Sequence, residues 1–287
     1  MIELNEEQIQ QFREDGFLIV DRLIDPDTVA QVAARFQPMF SGEFETGVLP
    51  DEVNWQEGRD SPELTRQICN GWKGDRCIAA VVLREDFGRS CATLAGWPGA
   101  RLTVDNVLWK PPGARPLGFH QDNSYLAWYS PQELLSCWIA LDDTTAEGGT
   151  MELVRGSHKW GRYPPASEFH GPEKYRAEME VAAAQAGVTP EIVPVEVPRG
   201  GGSFHHGWTW HGSGFNRADL PRRSLVAHCM SSAAHYVPEH LGEGTGPIYG
   251  RYFKRFGDTS MDESHFPILW AEDGRRTPGL DEYIGSR

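Results

Sequence analysis

The sequence lacks both a long apolar run and a secretory leader. Hydrophobic residues make up 39% of its 287 residues, but no run of them is long enough to cross a bilayer. The N-terminal stretch MIELNEEQIQQF carries acids and glutamines where a signal peptide would have a basic start followed by an apolar segment. These absences predict a cytoplasmic protein that does not act in a membrane.

Paired cysteines and an excess of positive charge are missing as well. The five cysteines are odd in number and include no Cys-X-X-Cys, so neither a disulfide framework nor a zinc knuckle is expected. We expect them to be reduced and mostly buried. The formal net charge is −14, and no basic tract offers a local exception, so a phosphate backbone would be repelled. Nucleic acid is therefore not an expected partner.

The first hundred residues are typical of helices with one short strand. Asn5 fits a helix N-cap, and Gly16 fits the end of the same helix. The FLIV stretch at 17–20 predicts a buried strand. Asp25 followed by Pro26 predicts the start of a second helix. We expect the apolar stripe of that second helix to lie in the core; it consists of Val29, Val32, Ala33 and Phe36.

Residue 100 marks a change to short β-like runs separated by Gly and Pro. A loop at 41–62, long enough to cover a site, and a helix at about 80–96 precede this change. Many short strands predict a sandwich or barrel. We expect one domain over 1–287, with a helical layer (about 1–99), a β core (about 100–235), and a C-terminal extension (about 236–287). The strand runs are LTVDNVLWK, LLSCWIALDD, GTMELVRGS, EIVPVEV, GSFHHGWTW and RRSLVAHCM, and a helical insertion at about 170–187 interrupts them.

The stretch GFHQDNSY places His120 and Asp122 two residues apart, so both side chains leave the same face if the segment is extended. A second segment, FHHGWTWHGSGFN, supplies three candidate histidines at the end of another predicted strand. His205 and His206 are adjacent and face opposite sides, so at most one of them competes with His211. Two histidines and a carboxylate with open coordination positions are expected of non-haem Fe(II) oxygenases, although they also suit zinc.

An arginine pair follows eleven residues after His211, at the head of the next predicted strand. A guanidinium is a planar fork that binds a carboxylate through two hydrogen bonds. The distal carboxylate of 2-oxoglutarate would be such a partner. Arg222 and Arg223 point to opposite faces of a strand, so only one of them can reach the site, and the sequence leaves open which one.

Taken together, His120-Gln121-Asp122, HGSGFN at 211–216, and Arg222 resemble the phytanoyl-CoA dioxygenase family of Fe(II)/2-oxoglutarate oxygenases. The similarity covers most of the chain. It extends to EEQIQQFREDGFLIVDRLID, KPPG, CWIALDDTTAEGGTMELVRGSHKWG and FPILW. The resemblance implies a mainly β fold with an α layer: a double-stranded β-helix, also called a jelly roll and cupin-like, with N-terminal helices packed on the sheet.

The resemblance also implies a role for each matching residue. His120, Asp122 and His211 would hold Fe(II), and Arg222 would anchor the cosubstrate 2-oxoglutarate, with O₂ as the second cosubstrate. A carboxylate at position 122 favours oxygen insertion over halogenation. Further positions match the lining of the cosubstrate pocket, namely Ser213, Trp138, Gln121 and Asn106. The aromatic residues expected in the substrate cavity are Tyr125, Trp128 and Trp208.

The implied reaction is hydroxylation of an unactivated C–H bond in a small molecule, with release of succinate and CO₂. Desaturation, ring closure and epimerisation also fit the site. One alternative is a catalytically silent barrel that still binds 2-oxoglutarate, and another is a zinc hydrolase, which would leave the arginine without a function. The chain has no basic cluster for the phosphates of CoA, and the aromatic residues suit an apolar or cationic ligand. The sequence is compatible with a monomer or a homodimer.

Overall fold

The structure is a computed structural model that describes residues 2–254 and 256–285. Its helices are α1 (Glu6–Asp15), α2 (Pro26–Phe40), α3 (Arg76–Val82), α4 (Glu85–Ala95), α5 (Ala177–Ala186), α6 (Gly246–Tyr249) and α7 (Leu280–Gly285). Short 3₁₀ turns lie at Gly71–Lys73, Asp122–Tyr125, Ser157–Lys159, Pro238–His240 and Gly250–Tyr252. No helix in these two ranges has both the length and the apolar character needed to span a membrane.

The strands alternate with turns through most of the remaining chain. They are β1 (Phe17–Val20), β2 (Glu52–Val53), β3 (Arg66–Cys69), β4 (Gly99–Lys110), β5 (Leu117–His120), β6 (Tyr129–Ser130), β7 (Leu135–Ala140), β8 (Met151–Val154), β9 (Ile192–Pro194), β10 (Gly202–His206), β11 (His211–Ser213), β12 (Arg222–Ser231), β13 (His235–Tyr236) and β14 (Ile268–Ala271). All six strand runs predicted after residue 100 contain a strand of the structure.

The local signals at the first two helices are confirmed. The Asn5 side chain accepts a hydrogen bond from the Gln8 backbone N–H at 2.8 Å, and the Gln8 side chain accepts one from Asn5 in return, which completes a capping box. Gly16 ends α1 with φ 82°, a backbone conformation that favours glycine. Asp25 caps α2 with Pro26 in its first position.

The helix predicted at about 80–96 is two helices in the structure. Leu83 ends α3, and Arg84 adopts extended backbone (φ −65°, ψ 136°) before α4 begins. The Arg84 guanidinium pairs with Asp86 at 2.5 Å and also donates to the Leu23 backbone carbonyl, which ties this break to the N-terminal region. The predicted end at Gly96 is confirmed by its φ of 70°.

Two antiparallel sheets form the β core. The larger sheet has the strand order β1-β10-β7-β12-β4-β3-β2, and β14 also pairs with β4. The smaller sheet has the order β5-β11-β8-β9. The expected jelly roll is confirmed. Three strands of the larger sheet, β1 to β3, come from the N-terminal region, where we expected a helical layer with one strand at 17–20, and β14 comes from the C-terminal extension.

Side-chain alternation divides the larger sheet into an outer and an inner face. On β12, Leu225 and Ala227 pack outward into the core that helices α1 to α4 cover, together with Val32 and Phe36. Val226 instead packs inward with Trp138, against the smaller sheet. The inner face is therefore the one on which polar side chains of β4, β7 and β12 can surround a site between the sheets.

The cysteines match the expectation for reduced, mostly buried thiols. All five lie in the described part of the chain, and no disulfide joins them. Four are buried and Cys77 is partly exposed.

Candidate active site

The His-X-Asp segment changes conformation at its centre. Strand β5 ends at His120, Gln121 keeps extended backbone (φ −115°, ψ 125°), and Asp122 begins a 3₁₀ turn. Because Gln121 is extended, its two neighbours still point to one side, and His120 Nε2 lies 3.4 Å from Asp122 Oδ1. The Gln121 amide points the other way and donates to the carbonyls of Gly161 and Trp208.

Strand β11 brings the third residue to the same place. His211 pairs directly with His120 across the smaller sheet, and their ring centroids lie 4.2 Å apart. His211 Nε2 lies 3.5 Å from Asp122 Oδ1. One nitrogen of each imidazole and one carboxylate oxygen all lie within 4.8 Å of one another, a spacing at which they could hold a metal ion. The structure thus brings together the three residues that the sequence selected.

The two imidazoles are oriented by backbone carbonyls. His120 Nδ1 lies 2.9 Å from the Gly118 carbonyl oxygen, and His211 Nδ1 lies 3.0 Å from that of Thr209. Each Nδ1 therefore carries a proton, and each Nε2 directs its lone pair toward Asp122. Burial, and next the proximity of His120, lowers the pKa of His211 well below its usual value. A neutral imidazole is the form that binds a metal.

The other histidines of the second segment fall on different sides of the sheet. His206 accepts a hydrogen bond from the Trp208 backbone N–H, and its ring lies 5.5 Å from that of His158, away from the triad. His205 is on the inner face. Its Nε2 lies 3.5 Å from Asp122 Oδ2, and neither of its ring nitrogens has a hydrogen-bond partner among the described residues.

Asp122 divides its two oxygens between different groups. Oδ1 faces the two ligand histidines, whereas Oδ2 accepts a hydrogen bond from Ser136 Oγ at 3.0 Å. Ser136 Oγ lies 2.7 Å from His228 Nδ1, and His228 Nε2 lies 2.9 Å from Asn106 Nδ2. Burial lowers the pKa of His228 to about 4, so its ring is neutral. A consistent chain of donors then runs from Asn106 through His228 and Ser136 to Asp122.

A cavity of about 520 Å³, here named the inner cavity, extends from the triad between the two sheets. Arg222 lines it with only 4% of its surface exposed. The guanidinium donates to Ser224 Oγ at 2.9 Å and to the Gly149 carbonyl at 3.2 Å, and its Nε has no hydrogen-bond partner among the described residues. Burial lowers the pKa of Arg222 to about 10. Trp138 forms a wall of the cavity, with its ring 5.8 Å from the guanidinium carbon.

The structure resolves which arginine faces the site. Arg223 lies on the outer face of β12, where its guanidinium binds both oxygens of Asp142 at 2.6 and 3.1 Å and donates to the Ala33 carbonyl in α2. Arg222 has no carboxylate partner of this kind among the described residues. The guanidinium that lacks an anion is the one inside the cavity.

Lys110 is a buried residue that the sequence reasoning missed. It pairs with Arg222 across β4 and β12, it is fully buried, and its Nζ donates to Ser213 Oγ at 2.8 Å. Burial, and next the charge of Arg222, lowers the pKa of Lys110 well below its usual value. The alternation of LTVDNVLWK could have revealed it, because Asn106 and Lys110 are an even number of residues apart and share the inner face.

A second cavity of about 830 Å³, here named the outer cavity, opens on the other side of the triad. Both cavities are lined by His120, Asp122, Asn106, His228, Gln67 and Phe169. Tyr125 lines the outer cavity, as expected for a substrate residue. The predicted loop at 41–62 contributes Glu52 and Asn54 to its wall. His120 and Asp122 therefore face both cavities, whereas His211 lines only the inner one.

Three residues that the sequence assigned to ligand binding lie elsewhere, which corrects those expectations. Gln121 connects loops through its amide and lines neither cavity. Trp128 is fully buried in an aromatic cluster, where its Nε1 donates to Thr245 Oγ1. Trp208 faces the Arg162 guanidinium at 5.1 Å. Neither the motif match of Gln121 nor the closeness of the two tryptophans to the ligands along the chain placed these side chains at the site.

The chain matches the family model described as phytanoyl-CoA dioxygenase over residues 12–224. It belongs to this family. Members include a Danio rerio protein named phytanoyl-CoA dioxygenase domain-containing protein 1, which is 30% identical over 80% of this chain and 91% of its own length. A protein of Stutzerimonas stutzeri named as a probable alpha-ketoglutarate-dependent hypophosphite dioxygenase is 25% identical over 77% of this chain and 76% of its own.

Solved structures agree on the fold. The carbocyclase SnoK from nogalamycin biosynthesis has a TM-score of 0.71 and 23% identity, over 93% of this chain and 97% of its own. The epimerase SnoN, solved with Fe3+, alpha ketoglutarate and nogalamycin RO, has a TM-score of 0.70 and 23% identity, over 92% and 98%. The expected class of enzyme is confirmed. The protein is a non-haem Fe(II)/2-oxoglutarate-dependent dioxygenase of the phytanoyl-CoA dioxygenase family, and it uses Fe(II), 2-oxoglutarate and O₂.

Proposed function

We propose that this enzyme hydroxylates an unactivated C–H bond of a small organic molecule bound in the outer cavity, while 2-oxoglutarate and O₂ are converted to succinate and CO₂. His120, Asp122 and His211 would hold Fe(II), and Arg222 would bind the distal carboxylate of 2-oxoglutarate in the inner cavity. Bound iron supplies the activation of O₂. The protein supplies binding, orientation and exclusion of water.

The main support for this proposal is the guanidinium of Arg222, which is buried and has no carboxylate partner among the described residues. Removing a cation from water is unfavourable unless an anion offsets the cost. Ser224 and Gly149 accept hydrogen bonds from Arg222 through neutral oxygens. No described residue accepts a hydrogen bond from its Nε. A ligand carboxylate would satisfy this guanidinium and fix the position of the cosubstrate relative to the triad.

The donor set of the triad fits Fe(II). Two neutral imidazoles and one carboxylate leave further coordination positions open to the keto-acid end of a cosubstrate and to O₂. Ser213, oriented by Lys110, would add a hydroxyl beside the carboxylate of 2-oxoglutarate, and Trp138 would exclude water on the other side. Asn106 lies where the two cavities meet, so it can contact both cosubstrate and substrate.

Each of the two alternative functions leaves one part of the site without a role. A zinc hydrolase would use the triad but would have no function for a guanidinium buried in the adjoining cavity. A silent 2-oxoglutarate-binding barrel would use Arg222 but would not need two imidazoles oriented toward one carboxylate oxygen. The Stutzerimonas relative is named for hypophosphite, a small inorganic anion. The outer cavity has Leu126, Leu134 and Phe169 in its wall, and this apolar surface favours an organic substrate.

Anaerobic titration tests this proposal. Fe(II) and 2-oxoglutarate together should give a weak visible charge-transfer band, whereas Zn(II) in place of Fe(II) should give none. Admitting air should then release succinate. Asp122→Ala should lose both the band and succinate release, because one iron ligand is gone, and Asp142→Ala on the outer face is the matched control that should keep both. Full activity of Asp122→Ala without added halide or carboxylate would contradict the assignment.

A further inference from the structure

The outer cavity has an unbalanced charge. Its described lining includes two carboxylates, Glu52 and Asp122, and neither a lysine nor an arginine. Of the two lining histidines outside the triad, His228 has both ring nitrogens engaged by Asn106 and Ser136. Burial lowers the pKa of the other, His170, so it does not offset a negative charge. Asp122 is assigned to the iron. With Fe(II) and 2-oxoglutarate bound, Asp122 and Arg222 complete a neutral set, so the Glu52 carboxylate is the charge that remains in the described lining of the outer cavity.

Glu52 differs from its neighbour Asp51 in its partners. Asp51 is surrounded by cations, with Lys73 at 2.8 Å and Arg251 at 2.7 Å. Glu52 lies on the opposite side of β2, toward the cavity, and pairs in the sheet with Cys69. The Tyr249 hydroxyl donates to Glu52 Oε1 at 3.2 Å, and no ion pair within 2–254 and 256–285 includes Glu52. Lys73 and Arg251 thus pair with Asp51 and not with Glu52.

Aromatic rings share the cavity with this carboxylate. Tyr125, Phe169 and Tyr249 all line it. The negative face of an aromatic ring attracts an organic cation. A carboxylate without a counter-ion next to several rings is complementary to an ammonium group on a carbon skeleton, and the same surroundings would repel a phosphate or a carboxylate.

We propose that the substrate of this enzyme is a small organic molecule that carries a protonated amine, and that Glu52 binds this amine while the carbon to be oxidised faces the triad. Tyr249 orients the Glu52 carboxylate through its hydroxyl, and the rings cover the apolar part of the molecule. The inference rests on the proposed function and adds the chemical class of the substrate. It argues against a substrate that places a phosphate or a carboxylate in the outer cavity.

Three probes that share a cyclohexane ring and differ in charge test the inference: cyclohexylamine, cyclohexanol and cyclohexanecarboxylate. Each is titrated anaerobically into the enzyme loaded with Fe(II) and saturating 2-oxoglutarate, and the change in the visible band is followed. The amine should half-saturate at a concentration about tenfold lower than the alcohol, because a charge-assisted hydrogen bond contributes more than a neutral one. The carboxylate should be the weakest probe.

The outcomes separate this inference from the proposed function. Absence of the band before any probe is added would contradict the proposed function itself. A normal band with an amine no more effective than the alcohol, including the case in which neither changes the band, would overturn the substrate class alone. Tightest binding of the carboxylate probe would likewise overturn the substrate class alone.

Two matched variants test the role of Glu52 in binding the amine. Glu52→Gln should reduce the preference for the amine over the alcohol about tenfold, because it removes the charge and keeps the shape of the side chain. Glu57→Gln makes the same change at an exposed position of the same loop and should leave the preference unchanged. An undiminished preference in Glu52→Gln would overturn the role of Glu52. If this variant does not fold, the ranking of probes by the wild-type enzyme still decides the substrate class.

Discussion

At the scale of single residues, the arginine pair on β12 offers a matched comparison. Arg222→Ala should raise the 2-oxoglutarate concentration needed for half-maximal succinate release by about ten- to a hundredfold, because a two-point charged hydrogen bond is lost. The Fe(II) requirement should change little, since Arg222 is not a ligand. Succinate release measured against both concentrations checks this.

Arg223→Ala is the control for that prediction. Its guanidinium is part of a half-buried ion pair with Asp142 on the outer face, so we expect a stability loss of up to about 1 kcal/mol and an unchanged 2-oxoglutarate requirement. An increased 2-oxoglutarate requirement in Arg223→Ala, with Arg222→Ala unaffected, would reverse the assignment of the two faces.

A second prediction at this scale concerns Ser136, which donates a hydrogen bond to the second carboxylate oxygen of Asp122. Ser136→Ala removes the donor to Oδ2 and leaves His228 Nδ1 without its acceptor. We expect a ten- to hundredfold loss of Fe(II) affinity, which is typical when the group that orients a ligand is removed. Metal titration at saturating 2-oxoglutarate measures it.

Ser203→Ala is the matched control for Ser136→Ala. The Ser203 hydroxyl is buried on the neighbouring strand β10 and has no hydrogen-bond partner in the part of the chain that the structure describes, so its removal should leave Fe(II) affinity unchanged. Equal Fe(II) affinity in Ser136→Ala and Ser203→Ala would show that Ser136 does not position Asp122.

The sequence predicted residues with distinctive chemistry better than it predicted their surroundings. His120, Asp122 and His211 were found because metal ligands are few in kind and their spacing is informative. The Ser136–Asp122 and Glu52–Tyr249 contacts join segments 14 and 197 residues apart, and nothing local signals them. Gln121 was selected by resemblance to the family, and Trp128 and Trp208 by closeness along the chain. Alternation and packing direct all three side chains away from the two cavities.

At the scale of secondary-structure elements, the smaller sheet sets the geometry of the metal site. His211 lies opposite His120 because β11 packs closely on β5, and Gly212 permits this approach. A Cβ at Gly212 would lie 2.5 Å from Phe119 Cδ2 and 3.0 Å from the Leu117 carbonyl oxygen. Gly212→Ala should therefore displace β11 and separate the two imidazoles.

We expect Gly212→Ala to be less stable by about 1–3 kcal/mol, the usual cost of an overpacked core, and to bind Fe(II) more weakly. Thermal unfolding and metal titration measure the two effects. Gly242→Ala is the matched control, because a Cβ there has no neighbour within 4 Å. Wild-type Fe(II) affinity in Gly212→Ala would mean that the spacing of β5 and β11 does not control the site.

Helix ends were predictable where the signal is local. The capping box at Asn5 and the glycine at the end of α1 each involve only a few consecutive residues, and both predictions are confirmed. The break between α3 and α4 was missed, since it depends on Arg84 bonding to the Leu23 carbonyl, which is 61 residues away. Contacts of this kind are set by tertiary packing and leave no local pattern.

At the scale of the whole molecule, the class of fold was predictable and the membership of the sheets was not. The repeated short runs after residue 100 indicated a sandwich or barrel. Strands β1, β2 and β3 complete the larger sheet from a region with helical texture, and only pairing reveals this: β1 lies against β10, nearly 200 residues away. The predictions of a single domain and of a cytoplasmic location remain predictions.

The balance of charge across the molecule leads to a last prediction. The chain carries a formal net charge of −14, yet two cations, Arg222 and Lys110, are buried side by side next to the inner cavity. Burial lowers the pKa of each, because a positive charge on either side chain is poorly solvated there. A carboxylate that enters the inner cavity offsets part of that cost, so 2-oxoglutarate should stabilise the whole fold.

With Mn(II) in place of Fe(II), 2-oxoglutarate at 100 times its dissociation constant should raise the free energy of unfolding by about 2.7 kcal/mol. For a chain of this length, each kcal/mol corresponds to a rise in melting temperature of about 2–4 °C. In Arg222→Ala the rise caused by 2-oxoglutarate should largely vanish, whereas the rise caused by Mn(II) alone should persist, because the triad is intact. If 2-oxoglutarate stabilised the variant as much as the wild type, its carboxylate would have to bind somewhere other than at Arg222, and the inner cavity would lose its assigned ligand.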